Sequence, residues 1–223
     1  NDGESHDWGS WDVPDSDFGD TQITDWAIDK INEEGDQPFF LGVGYYRPHI
    51  PLWAPARFFE RFHDNPGKLP PFKEDDLDDL SEAGKRWALE PITAGSHETT
   101  VRFGEWQSAV EAYLACVTYV DHEVGRLLEA LDQSGHSDHT IIVLWSDHGW
   151  HLGEKQHWGK WTGWERSTRI PLMVAPAKTM ADEFAEPGSK CDQPVGLIDL
   201  FPTLTDLCDV EAPGELDGES LVP

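Results

Sequence analysis

Asp147, His148, His151, His157 and Lys160 fall within one short stretch, Ser146-Asp147-His148-Gly149-Trp150-His151-Leu152-Gly153-Glu154-Lys155-Gln156-His157-Trp158-Gly159-Lys160. A carboxylate beside an imidazole is half a site for a divalent cation. Asp147 could equally cap the following turn, leaving His148 as a polar loop residue. His148, His151 and His157 offer a zinc alternative, although spacings of three and six residues match no common zinc pattern. An ammonium near a metal is a compact positive charge suited to an oxyanion, which gives Lys160 a binding role. A surface lysine is the plainer reading, but the chain carries only 16 Lys and Arg residues and this one stands between Trp158 and Trp161. Earlier in the chain, His49 lies in Tyr46-Arg47-Pro48-His49-Ile50-Pro51. It offers a proton donor or an anion contact, or a hydrogen-bonded loop histidine. Trp150, Trp158, Trp161 and Trp164 could stack on sugar rings or pack beneath the loop.

These residues need a scaffold. The apolar run Thr140-Ile141-Ile142-Val143-Leu144-Trp145 reads as a fully buried strand, so the polar stretch is the loop leaving its carboxyl end, where open α/β sheets bind ligands. Phe39 to Tyr45 reads as a second buried strand, ending in the Pro48 and Pro51 segment that carries His49. Ile170 to Ala175 is a third, closed by Pro176. A helix is predicted from Gln22 to about Glu34, capped by Asp20 or Thr21, with Ile23, Trp26, Ala27 and Ile31 on its inner face. The clearest helix runs from Glu105 to Gln133, where Val110, Tyr113, Val117, Val120, Val124, Leu127 and Leu131 recur at three and four residues. A last helix spans Leu200 to Cys208, with Asp199 as its cap. Residues 1–20 read as loop, and residues 52–104 as an irregular, proline-rich excursion that shapes a cleft. Its acidic run, Glu74 to Asp79, reads as a solvated face or helix start. Continuous apolar strands alternating with helices indicate an α/β domain with a mixed, largely parallel sheet flanked by helices.

At 223 residues, with 38% hydrophobic residues and 11 Trp, the chain has material for a packed core. Its 43 acidic residues leave a net charge of −27, a surface that repels nucleic acid and anionic membranes. No segment reaches the roughly 18 consecutive apolar residues of a membrane helix. Cys116, Cys191 and Cys208 form no disulfide framework or metal motif, and Cys116 reads as a small buried hydrophobe.

Together, Phe39 through Pro51, Ser146 through Lys160, Tyr119 through Leu128, Ser167 through Leu172 and Leu197 through Leu204 resemble the formylglycine-dependent sulfatases. The iduronate-2-sulfatase-like branch is the nearest, and the resemblance runs from Thr21 to the end of the chain. It implies the alkaline-phosphatase-like fold and hydrolysis of a sulfate ester, with a sulfated small molecule or carbohydrate as substrate. It also implies that Asp147 and His148 bind Ca2+, and that Lys160 and His49 serve as catalytic and substrate-binding residues at the sulfate. Export to the periplasm or outside the cell is the family's habit. The family's nucleophile arises from Cys-x-Pro-Ser-Arg or Ser-x-Pro-Ser-Arg, and no Cys or Ser here has that context. Other metal and sulfate ligands of the family are also unmatched. The resemblance therefore implies the C-terminal portion of a single catalytic domain, incomplete at both ends, inactive alone and with a half-formed calcium site. A metal-dependent phosphoryl hydrolase or transferase of the same superfamily, and a non-catalytic sulfatase-like binding protein, are the alternatives.

Overall fold

The computed structural model describes residues 6–33, 35, 37–91, 95–183 and 186–222. The chain divides into two compact units, Asn1–Thr179 and Met180–Pro223.

The larger unit is built on its longest helix. Its strands are β1 (Trp8–Trp11), β2 (Leu52–Pro55), β3 (Ile142–Trp145), β4 (His151–Leu152), β5 (Trp158–Gly159) and β6 (Leu172–Ala175). Its helices are α1 (Gly19–Ile31), α2 (Ala56–Glu60), α3 (Glu82–Leu89), α4 (His97–Arg102), α5 (Trp106–Gln133) and α6 (Glu165–Thr168). The strands pair two by two: β1 with β2 in parallel, β3 with β6 and β4 with β5 antiparallel. The mixed α/β character is as the apolar runs indicated, and one of the three observed pairings is parallel.

The buried face of α5 carries Ala109, Val110, Ala112, Ala115, Cys116, Tyr119, Glu123 and Leu131. The expected line is buried at its ends, Val110 and Leu131, but between them the stripe turns away from Val117, which is 37% exposed. Small side chains explain the choice, because alanines let α1 and β2 approach the helix axis more closely than a row of valines would. The core they close holds Ile50, Leu52, Ala54, Phe58, Trp150 and Trp158. Polar contacts fix α1 against α5: the Thr21 N–H donates to the Tyr119 hydroxyl at 3.0 Å, and the Thr21 hydroxyl donates to Glu123 at 3.0 Å. The buried Glu123 carboxylate also takes Arg126 at 2.7 Å, which offsets the cost of its desolvation.

Four further expectations change in the larger unit. First, α1 begins at Gly19, and its inner face is Asp20, Thr21, Thr24, Ala27 and Ile31, with Trp26 exposed. Second, residues 38–46 form neither helix nor paired strand, and Phe40 is 84% exposed. Apolar content alone does not make a strand; a ladder neighbour is required, and none pairs with this run among the described residues. Third, β3 is half-buried rather than fully buried, because among the described residues only β6 pairs with it. Fourth, residues 8–11, expected to be loop, form β1 against β2.

In the smaller unit, α7 (Leu200–Leu207) follows a short 3-10 turn. The Asp199 carboxylate accepts the N–H groups of Gly196 and Glu219, at 2.8 and 3.0 Å, instead of capping α7 directly.

Candidate active site

Asp147 and His148 leave the end of β3. The Asp147 Oδ1 accepts the His148 N–H at 3.0 Å, the turn-capping role, while Oδ2 stands 3.5 Å from His148 Nε2. The Nδ1 of His148 faces the Gly149 carbonyl at 2.9 Å. A carbonyl only accepts, so Nδ1 carries the proton and the Nε2 of the neutral ring offers its lone pair. Two lone-pair donors side by side, on an 80% exposed carboxylate and a half-buried imidazole, fit a shared divalent cation. No third His, Cys, Asp or Glu completes a metal-binding group with them among the described residues.

Lys160 follows a hairpin. Its two-residue strands, β4 and β5, pair His151 with Gly159 and Leu152 with Trp158. The chain thereby doubles back, and Lys160 emerges beside the start of the loop it left at Trp150. Left-handed backbone at Gly153, Lys155 and Gln156 makes the tight tip. The excursion 52–104 secures this hairpin. Ala88 in α3 accepts from His157 Nδ1 at 2.8 Å, and His97 in α4 accepts from Trp158 Nε1 at 3.1 Å. Asp76 of the acidic run takes Lys155 at 2.9 Å. From α5, Trp106 Nε1 donates to the Leu152 carbonyl at 2.8 Å.

His49 arrives from the other side of the unit. The buried Asp20 carboxylate grips its loop, accepting the N–H groups of Tyr46 and Arg47 at 2.8 and 3.0 Å. The Arg47 guanidinium then donates to the carbonyls of Trp53 and His49 at 2.6 and 3.2 Å. The Nδ1 of His49 donates to the Ile50 carbonyl at 2.8 Å, and its Nε2 lies 3.2 Å from Lys160 Nζ. Since the ammonium only donates, the imidazole is the acceptor. Trp150 joins the pairs: its ring lies 5.7 Å from that of His49 and 6.4 Å from that of His148. The four candidate residues thus form two pairs around one buried indole.

The remaining histidines have other work. His151 is fully buried, with Nδ1 on the Glu154 carbonyl and Nε2 on the Thr162 hydroxyl, both at 3.2 Å. Burial, reinforced by the neighbouring His157, pushes its pKa down to about 4. His157 is lowered too, chiefly by burial. Both rings are engaged in holding the hairpin, which removes the zinc alternative through His148, His151 and His157. Trp150 and Trp158 are packed, whereas Trp161 is 52% exposed. Cys116 lies buried in α5, and desolvation pushes its thiol up to about 12, so it is no nucleophile. Sequence reasoning missed two polar anchors, Asp20 and Ser167; the latter donates its hydroxyl to the Lys160 carbonyl at 2.7 Å. An aspartate in the first turn of a helix looks like a cap, and no local signal says otherwise.

Fold and site together define an α/β scaffold with the Asp147–His148 pair at the end of β3, the Lys160 ammonium on the His49 imidazole, and the Trp150 indole next to both imidazoles. Residues 2–210 match the sulfatase family model, and the chain belongs to the sulfatase family. It is 38% identical over 216 residues to a sulfatase of Formosa agariphila, covering 97% of this chain and 41% of that protein. It is 32% identical over 238 residues to human iduronate 2-sulfatase, covering 91% of this chain and 42% of that one. Among solved structures, it is similar to the phosphonate monoester hydrolase of Silicibacter pomeroyi, with a TM-score of 0.77 at 28% identity, covering 94% of this chain and 41% of that one. The chain therefore spans about two fifths of the length of these relatives. The family implies a divalent metal and a formylglycine in the complete enzyme. Among the described residues, no helix is long and apolar enough to cross a membrane.

Proposed function

We propose that the complete protein hydrolyses the sulfate ester of a carbohydrate to an alcohol and inorganic sulfate, and that this chain supplies one wall of the active site. The observation that carries the reading is the 3.2 Å contact between Lys160 Nζ and His49 Nε2, two residues 111 positions apart, with the Trp150 ring adjoining both His49 and His148. Lys160 holds a sulfuryl oxygen and offsets the charge that grows there in the transition state. His49, with Nδ1 committed to Ile50, accepts from the Lys160 ammonium at Nε2, and a proton passed to Nε2 makes the ring a donor to the same anion. Asp147 and His148 supply two ligands to Ca2+, which when bound adds positive charge at the ester. The formylglycine that the family implies would supply the nucleophile, and none of these 223 residues has the Cys-x-Pro-Ser-Arg or Ser-x-Pro-Ser-Arg context for it. Iduronate 2-sulfatase, by its name, acts on a sulfated sugar, which supports the carbohydrate assignment here. Export of the complete protein accords with such a substrate.

The likeness to a phosphonate monoester hydrolase supports a second reading, a phosphoryl hydrolase on the same scaffold. Turnover of a matched aryl sulfate and aryl phosphonate by the complete protein separates the two. A sulfatase should show kcat/KM for the sulfate at least ~100-fold the higher, the scale of about 3 kcal/mol of differential transition-state binding. A preference for the phosphonate would overturn the proposal.

A further inference from the structure

Ser167 stands in α6, in the Ser167-Thr168-Arg169-Ile170-Pro171-Leu172 segment, apart from the residues that face the anion. It is 5% exposed, yet it makes polar contacts with both halves of the site. Its carbonyl accepts the N–H of Gly149, the residue between His148 and Trp150, at 2.8 Å. Its hydroxyl donates to the carbonyl of Lys160 at 2.7 Å, and the same oxygen stands 2.9 Å from the Thr162 hydroxyl. The approach to Gly149 is tight, since a Cβ there would lie 2.0 Å from the Arg166 carbonyl oxygen.

Lys160 needs such an anchor. The β4–β5 ladder ends at Gly159, so Lys160 is the first residue past it, and residues 161–164 make no ladder bonds. A peptide just beyond a two-residue hairpin is held only by what its carbonyl and N–H find nearby. The Ser167 hydroxyl is the donor that the Lys160 carbonyl finds at 2.7 Å, and the buried His157 ring also interacts with the Lys160 main chain. We propose that Ser167 is a positioning residue, whose hydroxyl and carbonyl fix the Lys160 main chain relative to the Asp147–His148 pair. The proposal rests on the reading of Lys160 as a sulfate-ester contact. Ser167 itself touches no reacting atom; it acts through Lys160.

A double-mutant cycle in the complete protein, with an aryl sulfate as probe, tests this. Ser167→Ala should lower kcat/KM about five- to tenfold, the worth of one hydrogen bond. Ser167→Thr, which restores the hydroxyl, should recover most of it. In the Lys160→Ala background, Ser167→Ala should change kcat/KM by less than about twofold, because the side chain it positions is gone. An equal loss in both backgrounds would mean a general structural role and would overturn the proposal, as would no loss in either. Ser167→Cys keeps the volume and weakens the donor, and takes its place in the cycle should the alanine variant fail to fold. If Lys160→Ala alone turns over at the wild-type rate, the sulfatase reading of Lys160 has failed instead, which that variant alone reveals.

Discussion

Replacing Gly149 by Ala puts the largest strain on the site for the smallest chemical change. The added Cβ would lie 2.0 Å from the Arg166 carbonyl oxygen and 3.0 Å from its carbon. Both atoms are backbone, so no side chain can swing aside. Contacts under 3.0 Å are essentially never seen, so the 2.0 Å approach must lengthen by about 1 Å or more. The same movement in line would stretch the 2.8 Å bond from Gly149 N–H to the Ser167 carbonyl to about 3.8 Å, past hydrogen-bonding range. Losing that bond costs about 1 kcal/mol, and overpacking of this kind about 1–3 kcal/mol. The sum, roughly 2–4 kcal/mol, is a large share of a typical domain's stability. For a domain of this size it corresponds to a fall in Tm of roughly 5–15 °C. Gly163 is the control: it lies in the loop after Lys160, and a Cβ added there would meet nothing within 4 Å. Gly163→Ala should therefore be neutral within about 0.5 kcal/mol. Thermal unfolding followed by circular dichroism reads both. If Gly149→Ala melts with the wild type, the close approach of residues 149 and 166 is wrong.

Acid should weaken the fold through its buried histidines. Burial holds His6 and His151 at about 4, against 6.5 unfolded. The unfolded chain binds more protons between those values, so stability is complete above pH 6.5 and is lost as pH falls toward about 4. The loss is at most about 3 kcal/mol for His151, at ~1.4 kcal/mol per pKa unit, and less for His6, which is only half-buried. Urea midpoints at pH about 7.5 and about 4.5, on either side of most of that window, should show the drop, smaller in His151→Gln. Equal drops in the two proteins would remove His151 as a cause. Asp20→Ala should cost about 2–3 kcal/mol by leaving the Tyr46 and Arg47 amides without their charged acceptor, and an unchanged urea midpoint would refute that clamp. Asp147→Ala in the complete protein should weaken Ca2+ binding at least ~10-fold by calorimetry, with the isolated 223-residue chain binding negligibly. Tight binding by that chain would contradict the half-site.

What the sequence disclosed depended on how local the cause was. The α5 helix was plain because Val110 through Leu131 repeat at helical spacing, yet the stripe it buries was set by where α1 and β2 could approach, which favoured Ala112 and Cys116. The run 140–145 marked both a strand and the loop beyond it, because β3 and the Asp147–His148 turn are contiguous. His49 and Lys160 were each readable as candidates, but their contact was not, since it depends on the hairpin folding back over 111 residues of separation. The run 39–45 misled because apolar content does not by itself supply a ladder neighbour. Asp20 and Ser167 stayed hidden because their partners, Tyr46, Arg47, Gly149 and Lys160, are distant or across a turn. His151 and His157 looked like ligands, and became anchors once their nitrogens met Glu154, Thr162 and Ala88.

The proposed chemistry turns on Lys160 and His49 acting together at a sulfate ester. Steady-state turnover of an aryl sulfate by the complete protein, with Lys160→Ala, His49→Ala and the double variant, puts that cooperation to the test. Each single change should lower kcat/KM by at least ~10²-fold, and the double change should cost much less than the product, as for groups that work as a unit. Near-wild-type turnover in either single variant would contradict it.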